Sequence, residues 1–250
     1  MIKLRDVSKA YRLGKGEKLV LDRIDLEIPS NGVTAIFGAN GSGKSTLLHM
    51  IAGLSDPTSG SIEFTPTKPR IAYAFQDFRN SLLPWRTLKA NLLLPSQWNC
   101  AERSDLEGRL DALLAAFGVD LPLNRYPHEV SGGQAQMTCL LRALLYDADL
   151  YLLDEPTAAL DYRLQWATIV ELQRFWTSRA AAVLLVSHDL EQELLLADRI
   201  VVLDSQPGRV AEVIDVPLPR PRTLEATTTP MFVELKHHVL SRFAADVPPR

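Results

Sequence analysis

Cysteine is scarce in this sequence: Cys100 and Cys139 are the only two, and they lie far from each other and from any cluster of histidines. That excludes a disulfide framework and a thiolate metal site. Long hydrophobic runs are missing as well. No apolar stretch approaches the roughly 18 residues a transmembrane helix requires. The first residues, Met1-Ile2-Lys3-Leu4-Arg5-Asp6, alternate like a strand and do not read as a signal peptide. A positive excess is also lacking. The 27 basic and 30 acidic residues leave a net charge of −3, without the electrostatic footprint of a nucleic-acid binder. There is no internal repeat. Its 250 residues support one large domain, or a domain with a subdomain, and can bury a sizeable core. These absences predict a cytoplasmic globular protein.

What is present begins with glycine. Gly38-Ala39-Asn40-Gly41-Ser42-Gly43-Lys44-Ser45 satisfies G-x-x-x-x-G-K-[ST]. Before it, Val33-Thr34-Ala35-Ile36-Phe37 is a β-branched apolar run preceded by turn formers from Pro29 to Gly32. After it, Ser45 through Ala52 reads as a helix with Leu47, Leu48 and Ile51 on one side. A strand, a glycine loop and a helix start gather unpaired backbone N–H groups and a positive helix end around an anion. Lys44 would reach the β- and γ-phosphates of a nucleotide, and the Ser45 hydroxyl would ligate Mg²⁺. A glycine turn beside an ordinary surface lysine is the plainer alternative.

Three further segments place polar groups at strand ends. Leu150-Tyr151-Leu152-Leu153 is a buried-strand pattern ending in Asp154 and Glu155, at the carboxyl edge where open α/β sheets bind ligands. Asp154 suits a Mg²⁺ partner and Glu155 a group that polarises attacking water, since phosphoryl transfer needs positioning and charge neutralisation more than covalent chemistry. The alternative is that the pair caps the turn at Pro156. Gln76 ends the strand pattern Ile71 to Phe75 and can sense metal and water; alone it would read as a solvated loop residue. His188 follows the apolar run Ala182 to Val186 and can bond a γ-phosphate and Glu155, or be a structural histidine. About 90 residues after the first loop, Ser131-Gly132-Gly133-Gln134 precedes a helical pattern with Leu140, Leu141, Leu144 and Leu145. Its N–H groups and the Ser131 hydroxyl form a second anion site, or simply an N-cap.

Together these residues resemble, almost from end to end, the ATP-binding subunit of an ABC transporter. Gly38 to Ser45 resembles the Walker A loop, with Asn40, Gly41, Ser42, Gly43 and Thr46 among its nucleotide contacts, and Leu150 to Asp154 the Walker B strand. Glu155 stands at the catalytic glutamate, Gln76 at the Q-loop glutamine and His188 at the switch histidine. Ser131 to Gln134 resembles the signature, with Val130 where leucine is commoner. Ala158-Ala159-Leu160-Asp161 resembles the D-loop, and Tyr11 the aromatic that stacks on adenine. The resemblance implies an α/β P-loop NTPase core of ABC type, with an N-terminal antiparallel β subdomain and an inserted helical subdomain. It implies hydrolysis of ATP with Mg²⁺ held by Ser45, Gln76 and Asp154, and a homodimer in which each chain supplies half of each nucleotide site. It further implies integral-membrane permease subunits, an indirect link to a substrate-binding protein, no nucleic acid, and a place on the inner face of the cell membrane. An exporter ATPase and a non-transport ABC ATPase are the rivals, and a P-loop kinase or GTPase would leave Ser131 to Gln134, Asp161 and His188 unexplained.

The organisation agrees with that layout. Strand patterns (Ile2 to Val7 and Leu19 to Ile28, with Gly14 and Gly16 between them) and the glycine loop occupy 1–75. A helical block follows to about 145, with Leu106, Leu110, Leu113, Leu114 and Phe117 as a core stripe. The β-α alternation returns over 146–214, ending in a hairpin about Ser205-Gln206-Pro207-Gly208. One nucleotide-binding domain is expected over 1–214, then an extended segment and a helix from Met231 to Phe243. The tail and Leu82-Leu83-Pro84-Trp85 resemble the nitrate, sulfonate and taurine importer group; the chain is too short for the extra β domain usual in sugar importers. That Leu-Leu-Pro-Trp run is either a core anchor or a docking groove for a permease helix. One departure stands out: Met137 occupies a position where the family usually has arginine, which removes up to five donors and a charge and bears on subunit coupling.

Overall fold

The computed structural model describes residues 1–14, 16–97 and 103–244; Cys100 lies outside them. In chain order the first elements are β1 (Ile2–Leu13), β2 (Gly16–Ile28), β3 (Gly32–Gly38) and the helix α1 (Lys44–Ala52). Next come β4 (Ser59–Phe64), β5 (Ile71–Ala74), the short helices α2 (Phe78–Ser81) and α3 (Leu88–Leu92), and α4 (Arg103–Phe117). The second half holds α5 (Gly132–Leu145), β6 (Leu150–Asp154), α6 (Tyr162–Thr177), β7 (Ala182–Val186) and α7 (Leu190–Leu196). The chain then forms β8 (Arg199–Leu203), β9 (Val210–Asp215) and α8 (Pro230–Ala244).

Two sheets divide the strands. β1 pairs antiparallel with β2 on one edge and β4 on the other, an N-terminal sheet of order β2-β1-β4. β1 and β2 outrun the predicted Ile2 to Val7 and Leu19 to Ile28, because pairing across the Gly14 turn carries the ladder to Leu13↔Gly16. β4 has no strand signal of its own in Ser-Gly-Ser-Ile-Glu-Phe; it exists through its register on β1, with Ile2 opposite Phe64 and Leu4 opposite Ile62. The larger sheet runs β5-β6-β7-β3-β8-β9, parallel except for the predicted β8–β9 hairpin.

The parallel strands are apolar on both faces because both faces are covered. In β3, Val33, Ala35 and Phe37 join the core beneath α4 to α8, whereas Ile36 joins Leu47, Leu48 and Ile51 of α1 on the opposite side. β6 divides the same way, Tyr151 and Leu153 against Leu150 and Leu152. Full burial of each such side chain contributes about 1.5–3 kcal/mol. The helical stretch from α2 to α5 lies between β5 and β6 in sequence, as the expected insertion. The C-terminal segment belongs to the same core: Val216, Leu218, Phe232 and Val239 are buried in it. Among the described residues no helix is long and apolar enough to cross a membrane.

Candidate nucleotide site

The strand order sets the site. β3 lies beside β7, which lies beside β6, so the segments after all three strands emerge at one carboxyl edge. After β3 the chain turns through Gly43, whose φ of +95° is left-handed and where a Cβ would lie 2.6 Å from Leu21 Cδ2. Only glycine satisfies both conditions. α1 then starts with no acid in its own first turn, so no residue of the helix itself offsets its positive end. Lys44 is buried, its ammonium donating to the carbonyls of Gly38 (2.8 Å) and Ala39 (3.1 Å). Burial pulls its pKa down, opposed by Glu155, Glu193 and Asp154. The Ser42 hydroxyl is buried without a partner, in a loop whose N–H groups and lysine all favour an anion.

Asp154 closes one side. It is 2% exposed and its Oδ1 has no hydrogen-bond partner. Burial raises its pKa, against a hydrogen bond from the Ser45 hydroxyl. Ser45, Gln76 and Asp154 line one cleft of about 430 Å³, together with His49, Phe75, Asp77, Asn80 and Ser81. Among the described residues there is no group of three or more histidines, cysteines or acids that could cage a metal alone. One buried carboxylate with a free oxygen, one hydroxyl and one amide fit Mg²⁺, which keeps waters and takes substrate phosphate as its remaining ligands.

Glu155 is held in a conformation that a glutamate avoids, at φ +53°, which costs about 1–3 kcal/mol and persists only where neighbours over-determine it. Four contacts do so. Its N–H donates to Val186 O at 2.8 Å. Its carbonyl accepts from Gln136 Nε2 (2.6 Å) and from the Ala158 N–H (3.3 Å). Its carboxylate Oε2 lies 2.6 Å from His188 Nδ1. Glu155 is buried while the His188 side chain is 63% exposed, so the pair has one face toward solvent.

Ser131, Gly132, Gly133 and Gln134 form a capping box at the start of α5. The Gln134 N–H donates to Ser131 Oγ at 3.3 Å, and the Ser131 N–H donates to Gln134 Oε1 at 3.1 Å. Asp161 likewise caps α6, accepting from the Leu164 N–H at 3.0 Å. The two turns meet: a Cβ on Gly133 would lie 3.2 Å from Ala159 O. No hydrogen bond among the described residues joins Ser131–Gln134 to Gly38–Ser45. Tyr11 is exposed on β1, with the Lys9 ammonium 5.1 Å above its ring. Asn40 and Gly41 are exposed and Thr46 is half-buried.

Gln136 carried no signal in the sequence. It is 3% exposed, and its amide accepts from the Ala159 N–H while donating to Glu155 O, so one side chain ties α5 to both acidic turns. Only the burial of a polar residue in the Leu-rich α5 pattern could have marked it. Of the Leu-Leu-Pro-Trp run, Leu82 is buried, but Trp85 is 71% exposed; the core-anchor alternative fails for it. Met137 is 1% exposed and packs in the main core, so its effect runs through the seating of α5.

The sequence matches the family described as ABC transporter over residues 21–158. It is 36% identical over 245 residues to an aliphatic sulfonates import ATP-binding protein of Nocardia farcinica, covering 98% of this chain and 92% of that protein. With a bicarbonate transport ATP-binding protein of Synechocystis the identity is 31% over 256 residues, covering 97% and 90%. With a nitrate import ATP-binding protein of Synechococcus elongatus it is 34% over 237 residues; that match covers 91% of this chain but only 36% of the relative. A solved ATP-binding cassette, dimeric in a post-hydrolysis state with ADP and Pi, superposes with a TM-score of 0.78 at 27% identity, covering 88% of this chain and 100% of the other.

Proposed function

This chain belongs to the ABC transporter family, and on that premise we propose that it is the ATP-hydrolysing subunit that energises an importer of a small anion. The observation that carries the hydrolytic reading is the Glu155–His188 pair at 2.6 Å, standing at the same sheet edge as Lys44 and Asp154. Lys44 and the loop N–H groups bind the phosphates. Mg²⁺, held by Ser45, Gln76 and Asp154, would neutralise charge that builds on them. Glu155 orients water toward the γ-phosphate, and His188 steadies the Glu155 carboxylate and the phosphate together.

Ser131 to Gln134 face a second copy of the chain in this reading, with Asp161 at the same junction, because within one chain the two halves are not joined. Closure of the pair around ATP moves the docked permease. Trp85, exposed after the cleft that holds Gln76, is the anchor for that docking. The chain then sits on the inner face of the cell membrane through its permease, with a substrate-binding protein delivering solute from the other side. Tyr11 stacks on adenine. We assign one nucleotide-binding domain to 1–214, with the core in 1–75 and 146–214 and the helical subdomain over about 76–145. Residues 215–250 form the C-terminal extension. The relatives are named for nitrate, bicarbonate and aliphatic sulfonates, all oxyanions, and this favours the same class here.

Glu155→Gln, sized in solution with and without ATP, tests the reading. The variant is expected to bind ATP, to lose turnover at least about a hundredfold, and to dimerise only with ATP. Undiminished turnover would remove Glu155 from its assigned role.

A further inference from the structure

We propose that Glu193, which lies outside every motif of the site, is a positioning residue for hydrolysis that sets His188 against Glu155 by holding the Ser187 amide. This rests on the ATPase reading above. Glu193 lies one turn into α7 and is fully buried, as is Ser187 nearly. Its Oε1 accepts the Ser187 N–H at 3.1 Å, while its Oε2 is buried with no partner. Ser187 Oγ accepts the Asp189 N–H at 3.1 Å, and Asp189 caps α7 through the N–H groups of Glu191 and Gln192. His188 is therefore suspended between two residues whose backbones are both anchored to α7. Its ring meets Glu155, the group it must register with, at 2.6 Å.

A glutamate is a costly choice for a fully buried position. The charged groups around it are the Lys44 ammonium from the phosphate loop, Glu155 from the turn after β6, and Asp189 from its own helix start. Burial raises its pKa well above the ordinary carboxylate range, and Glu155 and Asp189 push the same way, against Lys44 and the Ser187 bond. A neutral carboxyl still offers Ser187 a carbonyl oxygen, so the positioning bond needs no charge.

The test compares Glu193→Gln and Glu193→Leu with the unaltered chain, each shown to be folded by its melting curve. Glu193→Met serves if Glu193→Leu does not fold. Three quantities are read: ATP affinity by calorimetry, turnover at saturating ATP, and the ¹H–¹⁵N signals of the His188 ring. Glu193→Gln keeps a carbonyl oxygen for Ser187 and is expected to stay within about twofold of the unaltered turnover. Glu193→Leu is expected to lose about tenfold or more in turnover, as misplaced catalytic groups do, with ATP affinity little changed and the His188 signals moved. Unmoved His188 signals in Glu193→Leu overturn the proposal. So does a loss of turnover matched by an equal loss of ATP affinity, or a Gln variant as impaired as the Leu variant. If the unaltered chain binds ATP without turning it over, the ATPase reading fails, and the His188 signals decide on Glu193 independently.

Discussion

Replacing Arg222 with methionine removes a buried charge that forms no ion pair among the described residues. Arg222 is 2% exposed. Its Nη1 donates to the carbonyls of Leu194 (2.7 Å) and Ala197, at the end of α7. Its Nη2 donates to Val216 and Leu218, both at 3.0 Å, and Nε to Leu218 at 3.2 Å. The Gln173 amide of α6 pairs with its backbone on both sides. Burial, with Arg220 nearby, pulls the guanidinium pKa down to about 10, against Asp198; the group still carries its charge at neutral pH. That fall corresponds to about 3 kcal/mol against the charged side chain. Arg222→Met relieves that cost and keeps most of the volume. It also leaves four carbonyl oxygens in dry surroundings, each costing about 1–3 kcal/mol. At about 1.5 kcal/mol per carbonyl, set against the roughly 3 recovered, the net expectation is a loss of about 3 kcal/mol in folding stability, or roughly 6–12 °C in Tm for a chain of this size. Arg222→Lys should fall in between, because a compact ammonium has three donors and cannot span the same carbonyls. Urea unfolding followed by circular dichroism measures the difference. A methionine variant within about 1 kcal/mol of the unaltered protein would refute the idea that these bonds outweigh desolvation.

Trp85→Glu should leave melting unchanged within about 0.5 kcal/mol, since the side chain is exposed, yet abolish recovery of the chain with its permease in membrane fractions; aggregation instead would return Trp85 to a structural role. Gly43→Ala should weaken ATP binding and cost about 1–3 kcal/mol in stability, because the added Cβ meets Leu21 at a positive φ; an unaltered ATP titration would show that the loop tolerates a Cβ. Gln136→Leu should cost about 2 kcal/mol and reduce turnover more than ATP affinity, since it removes one of the two donors to Glu155 O and leaves the Ala159 N–H without its acceptor. Unchanged turnover would reduce Gln136 to packing.

The phosphate loop was legible in the sequence because its parts are contiguous: β3, Gly43 and the start of α1 read in order, and their geometry is local. The turn at Ser131 was legible for the same reason, as a helix start; Asp161 entered through the family resemblance alone, and the structure shows that it caps α6. Trp85 was left between two readings, since a hydrophobic run has the same letters whether its tryptophan is buried or exposed. β4 escaped notice because its partner, β1, lies some fifty residues earlier and supplies the order that Ser-Gly-Ser lacks.

By itself, then, the sequence determined the family, the phosphate loop and the identity of the acids and histidine at strand ends. The strand order that brings β3, β6 and β7 to one edge was decided by tertiary structure. So were the roles of Gln136, Glu193 and Arg222, three residues whose letters suggest solvent. Each is buried by elements distant in sequence, and a polar group becomes informative only when the fold removes its water and dictates which partner replaces it.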